Sequence, residues 1–356
     1  MKCFWFGCFL LLPTNHNLTL FYPDMVENDD LKASSDCCGG KPSVQDANPD
    51  PPSVKKSCCG GGTATGILSE PKDSKGAHTL DSDEVRQQVM AKYGEIASEQ
   101  GRTCCGSRSS VSSTGDAASD FAQGIGYSAA ELADLPEGAN MGLSCGNPNA
   151  IASLQPGETV LDLGSGGGFD CFIAAKAVGP RGKSLGVDMT PAMIHKARAN
   201  AKKFQERTGL ANVEFRLGEI EHLPVADQSV DCIISNCVIN LSPDKPQVWN
   251  EVARVLKPGG RACVSDICLM RPLPEQLKKS IHALVGCVAG ASLLDDVVTM
   301  VKDAGLVVSS AEKESAFVHK METSDDPLYS NIMKDMPEGL SPRDYVTSLK
   351  LVVTKP

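Results

Sequence analysis

The chain has 356 residues, 41% of them hydrophobic and 22% charged, enough for one large α/β domain with accessory segments. A net charge of -10 with no Lys/Arg stripe excludes the phosphate neutralisation on which nucleic-acid binding depends, so no nucleic-acid partner is expected. Fifteen cysteines, an odd number, cannot close into a complete set of intramolecular disulfides and point to thiol chemistry rather than stapling.

Met1-Lys2 followed by the apolar run 3–12 resembles the core of a short signal peptide, but no small-residue cleavage site follows. A start at Met25 would remove the run, so the expected localisation is cytoplasmic, with targeting left open by this stretch. No later segment is long enough to span a bilayer, and no membrane partner is expected. Residues 25–80 are rich in Ser, Asp, Pro, Gly and Lys and lack apolar periodicity, so 1–80 reads as a disordered N-terminal extension. Cys37-Cys38-Gly39-Gly40 and Cys58-Cys59-Gly60-Gly61 form a crude repeat that Cys104-Cys105-Gly106 echoes; the tail pairs read as inert thiols. A helix is predicted over 81–100, where Val85, Val89, Tyr93 and Ile96 fall at helical spacing and Asp81 or Ser82 can cap the start.

From Asn149 short apolar runs alternate with amphipathic stretches, the βαβ signature of a parallel sheet with helices on both faces. Strands are predicted at 159–163, 184–188, 213–217, 230–234 and 261–265, with helices at 169–178, 191–207 and 246–256. A further helix at 292–304, capped by Ser292 and ended by Gly305, precedes a strand at 306–310. Residues 345–354 alternate like a strand and 325–342 read as loop, leaving the C-terminus as a small appendix.

The run Val160-Leu161-Asp162-Leu163-Gly164-Ser165-Gly166-Gly167-Gly168-Phe169-Asp170 places a Gly-rich turn at the carboxyl end of the first strand, where open α/β sheets bind ligands. A dinucleotide fingerprint starting at Gly164 and Gly166 needs Gly or Ala at the position of Phe169, which weakens a pyrophosphate reading. The spacing instead resembles the G-x-G-x-G loop of the class I methyltransferases and implies S-adenosyl-L-methionine as methyl donor. On that resemblance Asp162, Gly164, Ser165, Gly166 and Gly168 belong to its amino-acid side. Asp188, at the end of strand two, accepts from the ribose hydroxyls, and Met189 covers the adenine. Glu219 and Ile220 follow strand three beside the adenine, and Asn236 joins the set from the end of strand four.

Strand four runs into Ser235-Asn236-Cys237-Val238-Ile239-Asn240-Leu241, which puts Cys237 at the carboxyl edge of the sheet beside that pocket. Free cysteine is most often a small buried hydrophobe, and Cys232 and Cys263 inside predicted strands read that way. Leu143-Ser144-Cys145-Gly146-Asn147-Pro148 precedes strand one and Val285-Gly286-Cys287-Val288-Ala289-Gly290 follows strand five. Cys145, Cys237 and Cys287, each beside a loop at the ligand edge, can converge on one soft ion, whereas structural zinc usually shows paired C-x₂-C ligands. The six histidines have no ligand spacing.

With Tyr93-Gly94, Cys104-Cys105 and Gly186-Val187-Asp188-Met189-Thr190, these stretches resemble the arsenite methyltransferases from about residue 83 onward. The resemblance implies a Rossmann-like class I methyltransferase fold: an α/β domain over 81–290, its mostly parallel sheet completed within 291–356. It implies methyl transfer to thiol-bound arsenic(III), giving mono- and dimethylated arsenicals. Cys145, Cys237 and Cys287 would hold the arsenic, and one of Cys104 or Cys105 would join Cys145 in a disulfide that takes part in turnover. A thiol reductant such as thioredoxin or glutathione would restore the thiols, and a monomer is expected. Two rival readings stay open at this point: a methyltransferase of a small organic acceptor with structural cysteines, and a non-catalytic metalloid binder that uses the Cys-Cys-Gly tail.

Overall fold

Buried on both faces, parallel strands need near-continuous apolar runs, and the chain supplies them in order. In the computed structural model, β1 (Thr159–Leu163), β2 (Lys183–Asp188), β3 (Val213–Leu217), β4 (Val230–Asn236) and β5 (Leu256–Leu269) form a parallel sheet. The structure describes residues 82–98, 116–278, 280, 283, 287–323, 332–334, 336 and 339–356, all within one unit, Pro71–Pro356. The expected disordered extension and the Cys104-Cys105 pair lie outside the described residues.

The seven strands lie in the order β3-β2-β1-β4-β5-β7-β6, where β6 is Val307–Glu314 and β7 is Val346–Thr354. β7 runs antiparallel to both neighbours and pairs with β5 from Arg261↔Thr354 to Leu269↔Val346. The C-terminal residues therefore complete the sheet from within rather than as an appendix beside it.

Among the described residues, the five helices expected from the sequence form, and five further ones were not expected. α1 (Ser82–Ser98) buries Val85 and Val89 in the cluster that also holds Cys145, Phe169 and Cys287. Three short helices follow: α2 (Asp116–Gly124), α3 (Ala129–Leu132) and α4 (Pro148–Ala152). α4 is capped by Asn147, whose Oδ1 accepts from Ala150 N at 3.1 Å, with Pro148 at its first position. In α5 (Phe169–Val178) eight of ten residues are buried, so it carries no polar face. α6 (Pro191–Thr208) starts at a proline and stops at Gly209, left-handed at φ +73°. Asp244 caps α7 (Lys245–Val255), and α8 (Glu275–Lys278), α9 (Leu294–Asp303) and α10 (Ala316–Thr323) follow. Among the described residues, no helix is long and apolar enough to cross a membrane.

Two predicted boundaries move for identifiable reasons. The strand predicted at 261–265 is only the middle of β5: Leu256 already pairs with Val230 across a register shift, and β7 carries the pairing on to Leu269. Ser292 does not cap α9, because its carbonyl accepts from Leu269 N at 2.8 Å; Leu293 takes the capping position.

Candidate active site

Strand order reverses between β1 and β4, and at such a switch point the carboxyl ends of the strands open a crevice. The crevice is open to solvent, with about 1020 Å³ of space in and above it, and it is lined by residues from the ends of three strands. The turn after β1 forms its floor, the ends of β2 and β4 its sides, and Arg86, Val89 and Tyr93 of α1 the opposite wall. Gly164 (φ +65°) and Gly166 (φ +50°) are left-handed, and a Cβ on Gly164 would run into Val238. The folded turn lets Gly166 N donate to Asp188 Oδ2 at 2.9 Å while Thr190 N donates to Oδ1 at 2.8 Å. Both carboxylate oxygens are thereby oriented, and each keeps a lone pair for a ligand.

Three aspartates, Asp162, Asp170 and Asp188, line the cleft together with Glu221, and burial holds each aspartate above the ordinary carboxylate range. Burial pushes Asp170 up to about 6, against hydrogen bonds from Tyr127, Asn236 and Asn149 that pull it down. Burial drives Asp162 well above the usual range, and repulsion from Asp170 adds to it. Asp188 is raised by burial despite the two backbone N–H groups. Clustered, desolvated carboxylates favour a cationic ligand. The Ser165 hydroxyl, buried in the same wall, has no hydrogen-bond partner among the described residues. Both features fit S-adenosylmethionine, which brings positive charge and hydrogen-bonding groups.

Asn236 connects this cleft to the cysteines. Its Nδ2 lies 2.8 Å from the Gly146 carbonyl, 2.9 Å from the Tyr127 hydroxyl and 3.1 Å from Asp170 Oδ2, and its Oδ1 accepts from Cys145 N at 3.0 Å. The Tyr127 hydroxyl in turn donates to Asp170 Oδ1 at 2.7 Å.

Cys145 and Cys237 are joined in a disulfide with their Cα atoms 5.9 Å apart, and the Cys287 thiol donates to the Cys237 carbonyl at 3.0 Å. Cys237 (φ +53°) and Cys287 (φ +61°) both sit in the left-handed region, at a cost of about 1–2 kcal/mol each for a residue with a Cβ. The surroundings hold Cys237 there: its N–H donates to the Ser265 carbonyl at 2.9 Å, and Asn240 Nδ2 donates to Asp266 Oδ1 at 2.8 Å and to the Ile267 carbonyl at 2.6 Å. The Ser235–Leu241 run is thus clamped on three sides, by Asn236 toward Cys145, by Asn240 toward β5, and by Val238 against Gly164. Burial drives the Cys287 thiol well above the ordinary thiol range; the charge of Asp266 adds to this and Lys245 opposes it. Asp266 itself is pushed up to about 6 by burial, against hydrogen bonds from backbone N–H groups and the charge of Lys245.

A family profile described as a methyltransferase domain matches residues 154–305. The chain is 49% identical over 243 residues to the arsenite methyltransferase of Halobacterium salinarum, across 66% of this chain and 61% of that protein. It is 47% identical over 147 residues to the arsenite methyltransferase of Aquipseudomonas alcaligenes, across 40% of this chain and 42% of that protein. The crystal structure of an arsenic(III) S-adenosylmethionine methyltransferase from Chlamydomonas reinhardtii superposes with a TM-score of 0.50 at 34% identity, covering 64% of this chain and 72% of that one. The chain belongs to the arsenic(III) S-adenosylmethionine methyltransferase family. It spans 61% and 42% of the lengths of the two curated relatives.

Of the cofactor residues assigned from sequence to this arsenic methyltransferase family member, Asp162, Gly164, Ser165, Gly166, Asp188, Met189, Ile220 and Asn236 line the cleft. Gly168 and Glu219 do not. Gly168 (φ +94°) packs under Phe215 and Phe172 at the start of α5, and Glu219 turns outward to pair with Arg86 Nε at 3.7 Å. Cys237 lines the cleft and Cys145 is bonded to it, whereas the Cys287 thiol reaches the Cys237 carbonyl but does not join the cluster of donor atoms that Cys145 and Cys237 form with Asp266. The disulfide also differs from the expected one. Cys145 is bonded to Cys237, while Cys104 and Cys105 lie outside the described residues. Sequence reasoning passed over Asp170, Asp266 and Tyr127. Asp170 stands two residues past the glycine turn in the first turn of α5, and Asp266 directly follows the predicted fifth strand, so a carboxylate at the ligand edge of the sheet was signal enough for both. Nothing near Tyr127 announced it.

Proposed function

We propose that this chain transfers methyl groups from S-adenosylmethionine to thiol-bound arsenic(III), giving mono- and dimethylated arsenicals. The reading is supported by the Cys145–Cys237 pair, with Cys237 lining a cleft suited to a cationic ligand and the Cys287 thiol against the Cys237 carbonyl, from where Cys287 must swing toward the pair to complete a three-sulfur site. Opening the Cys145–Cys237 disulfide takes two electrons and two protons from a thiol reductant such as thioredoxin or glutathione, which leaves as its own disulfide. Arsenite then exchanges three hydroxyls for the three cysteine sulfurs, and each thiol proton leaves with a hydroxyl as water.

S-adenosylmethionine, when bound by Asp188, the glycine turn and the cleft carboxylates, supplies an electrophilic methyl group. The protein's own contribution is positioning. Asn236 fixes the Cys145 backbone relative to Asp170, and the Asn240–Asp266 pair holds the turn that presents Cys237. No general base is required, because pyramidal arsenic already carries its lone pair. Arsenic gives its lone pair to the methyl group and becomes arsenic(V). Two of its three thiolates leaving together as a disulfide return it to arsenic(III), and the thiol reductant reopens that disulfide, so Cys145 with Cys237 or Cys287 suffices for the monomethyl acceptor. The same reading takes the enzyme as a cytoplasmic monomer, where a reducing thiol pool keeps the centre open.

Incubating the reduced protein with arsenite, a thiol and methyl-labelled S-adenosylmethionine, then separating the arsenic species by chromatography, tests the proposal. Labelled mono- and dimethylarsenicals are expected from the wild type and none from Cys237→Ser. Undiminished arsenite methylation by Cys237→Ser would overturn the reading.

A further inference from the structure

The sulfur centre contains a donor that trivalent arsenic does not call for. Cys145 Sγ, Cys237 Sγ and a carboxylate oxygen of Asp266 lie within 4.8 Å of one another. Cys145 and Asp266 are buried, and Cys237 lines the cleft, so a small ion can reach the group. Asp266 is held as metal-ligating carboxylates usually are, through partners behind it. Its Oδ1 accepts from Asn240 Nδ2 and Ile267 N, both at 2.8 Å. Its Oδ2 accepts from Asn240 N at a long 3.4 Å, and the Ile239 backbone N–H also bonds the carboxylate, so the group is oriented by backbone donors from the turn that carries Cys237.

Trivalent arsenic is satisfied by sulfur alone. Two thiolates with one carboxylate and an open fourth position suit a borderline divalent cation such as zinc. The charges agree with this. A divalent cation offsets two of the three negative charges, and the ammonium of Lys245, which interacts electrostatically with Asp266, offsets the third.

We propose that, once the Cys145–Cys237 disulfide is reduced, Cys145, Cys237 and Asp266 bind a thiophilic divalent cation of the zinc class, in competition with trivalent arsenic for the same two sulfurs. Loading the cation displaces the two thiol protons and forms two metal–sulfur bonds and one metal–oxygen bond. Zinc has no lone pair for a methyl group to take, so the loaded site is inert toward methyl transfer and the cation acts as an inhibitor. The binding step does not rest on the methylation reading: it is read without S-adenosylmethionine, so either can fail alone.

The test uses the full chain, reduced with a phosphine rather than a chelating dithiol and desalted without oxygen. Zinc is titrated against a chromogenic chelator, and cobalt(II) in parallel reports sulfur ligation through its charge-transfer band. Cysteines elsewhere also bind these ions, so the readout is the difference between wild type and Cys145→Ala or Asp266→Asn, with S-adenosylhomocysteine binding as the check on folding. The wild type should hold one equivalent more than Cys145→Ala. That equivalent should weaken at least tenfold in Asp266→Asn, leave when arsenite is added, and be absent from the oxidised protein. Equal zinc capacity and affinity in the wild type and both variants would overturn the proposal. So would a cobalt spectrum of the arsenite-displaced equivalent with three sulfur ligands instead of two, a measurement on the wild type that stands even if Asp266→Asn does not fold.

Discussion

At pH 5 most molecules carry Asp170 protonated, because burial has pushed its carboxyl up to about 6; at pH 7 most carry it ionised. A cationic ligand in the same cleft prefers the ionised form, so S-adenosylmethionine binding must displace that proton at the lower pH and need not at the higher. If the bound ligand returns Asp170 to the ordinary carboxylate value of about 4, affinity rises about tenfold between pH 5 and pH 7, or about 1.4 kcal/mol. The sign follows from the raised value: the free protein holds the proton more tightly than the complex, so affinity falls as pH drops through about 6. Calorimetric titration in buffers of different ionisation enthalpy measures both the affinity and the proton released. Adenosine, with the nucleoside but not the charge, should show no such dependence, and Asp170→Asn should flatten it for S-adenosylmethionine. Equal S-adenosylmethionine affinity at the two pH values, or a tenfold change that survives Asp170→Asn, would refute the reasoning.

Tyr127→Phe leaves Asp170 and Asn236 each short of a buried partner and should lower stability by about 1.5–3 kcal/mol, the cost of a hydrogen bond to a charged group, read by denaturant unfolding at pH 7. Gly168→Ala puts a Cβ 2.6 Å from Phe215 Cζ and 2.8 Å from Phe172 Cε2 at φ +94°, so about 2–4 kcal/mol should be lost, with a matching fall in thermal midpoint. Removing residues 1–80 should leave arsenite methylation intact, measured by labelled product per active centre; loss of all arsenic binding would favour the tail-sequestration reading instead.

The parts of this fold that announced themselves were those where local chemistry and tertiary context agree. The β1–turn–α5 unit was legible because a buried strand, a left-handed glycine turn and a helix with eight of ten residues buried each leave their mark within a few residues. The Asn236–Asn240 neighbourhood of Cys237 was legible as a motif but not as a mechanism. That both asparagines act as clamps, one toward Cys145 and one toward Asp266, depends on partners at separations of 91 and 26 residues. Long-range pairing also hid the true length of β5, since the extension to Leu269 exists only because β7 runs beside it. Tyr127 was invisible for the same reason, its role being set by Asp170 and Asn236 at separations of 43 and 109 residues. The positive φ of Cys237 and Cys287 has no sequence signature at all, because a cysteine in a glycine's conformation is imposed by its neighbours rather than by its own preference.

β7 comes later in the chain than both of its neighbours, yet it lies between them. During synthesis β6 therefore has no edge to pair with until β7 emerges, and the sheet can close only by inserting its last strand. Ser348, on that strand, donates its hydroxyl to the Cys145 carbonyl at 3.3 Å. A nascent chain that has already made all three clustered cysteines still lacks the wall behind one of them, so the sulfur centre is among the last parts of the domain to acquire its final geometry. Until then the Cys145 backbone lacks its partner on the closing strand, and the sulfur centre is finished by the last pairing of the sheet.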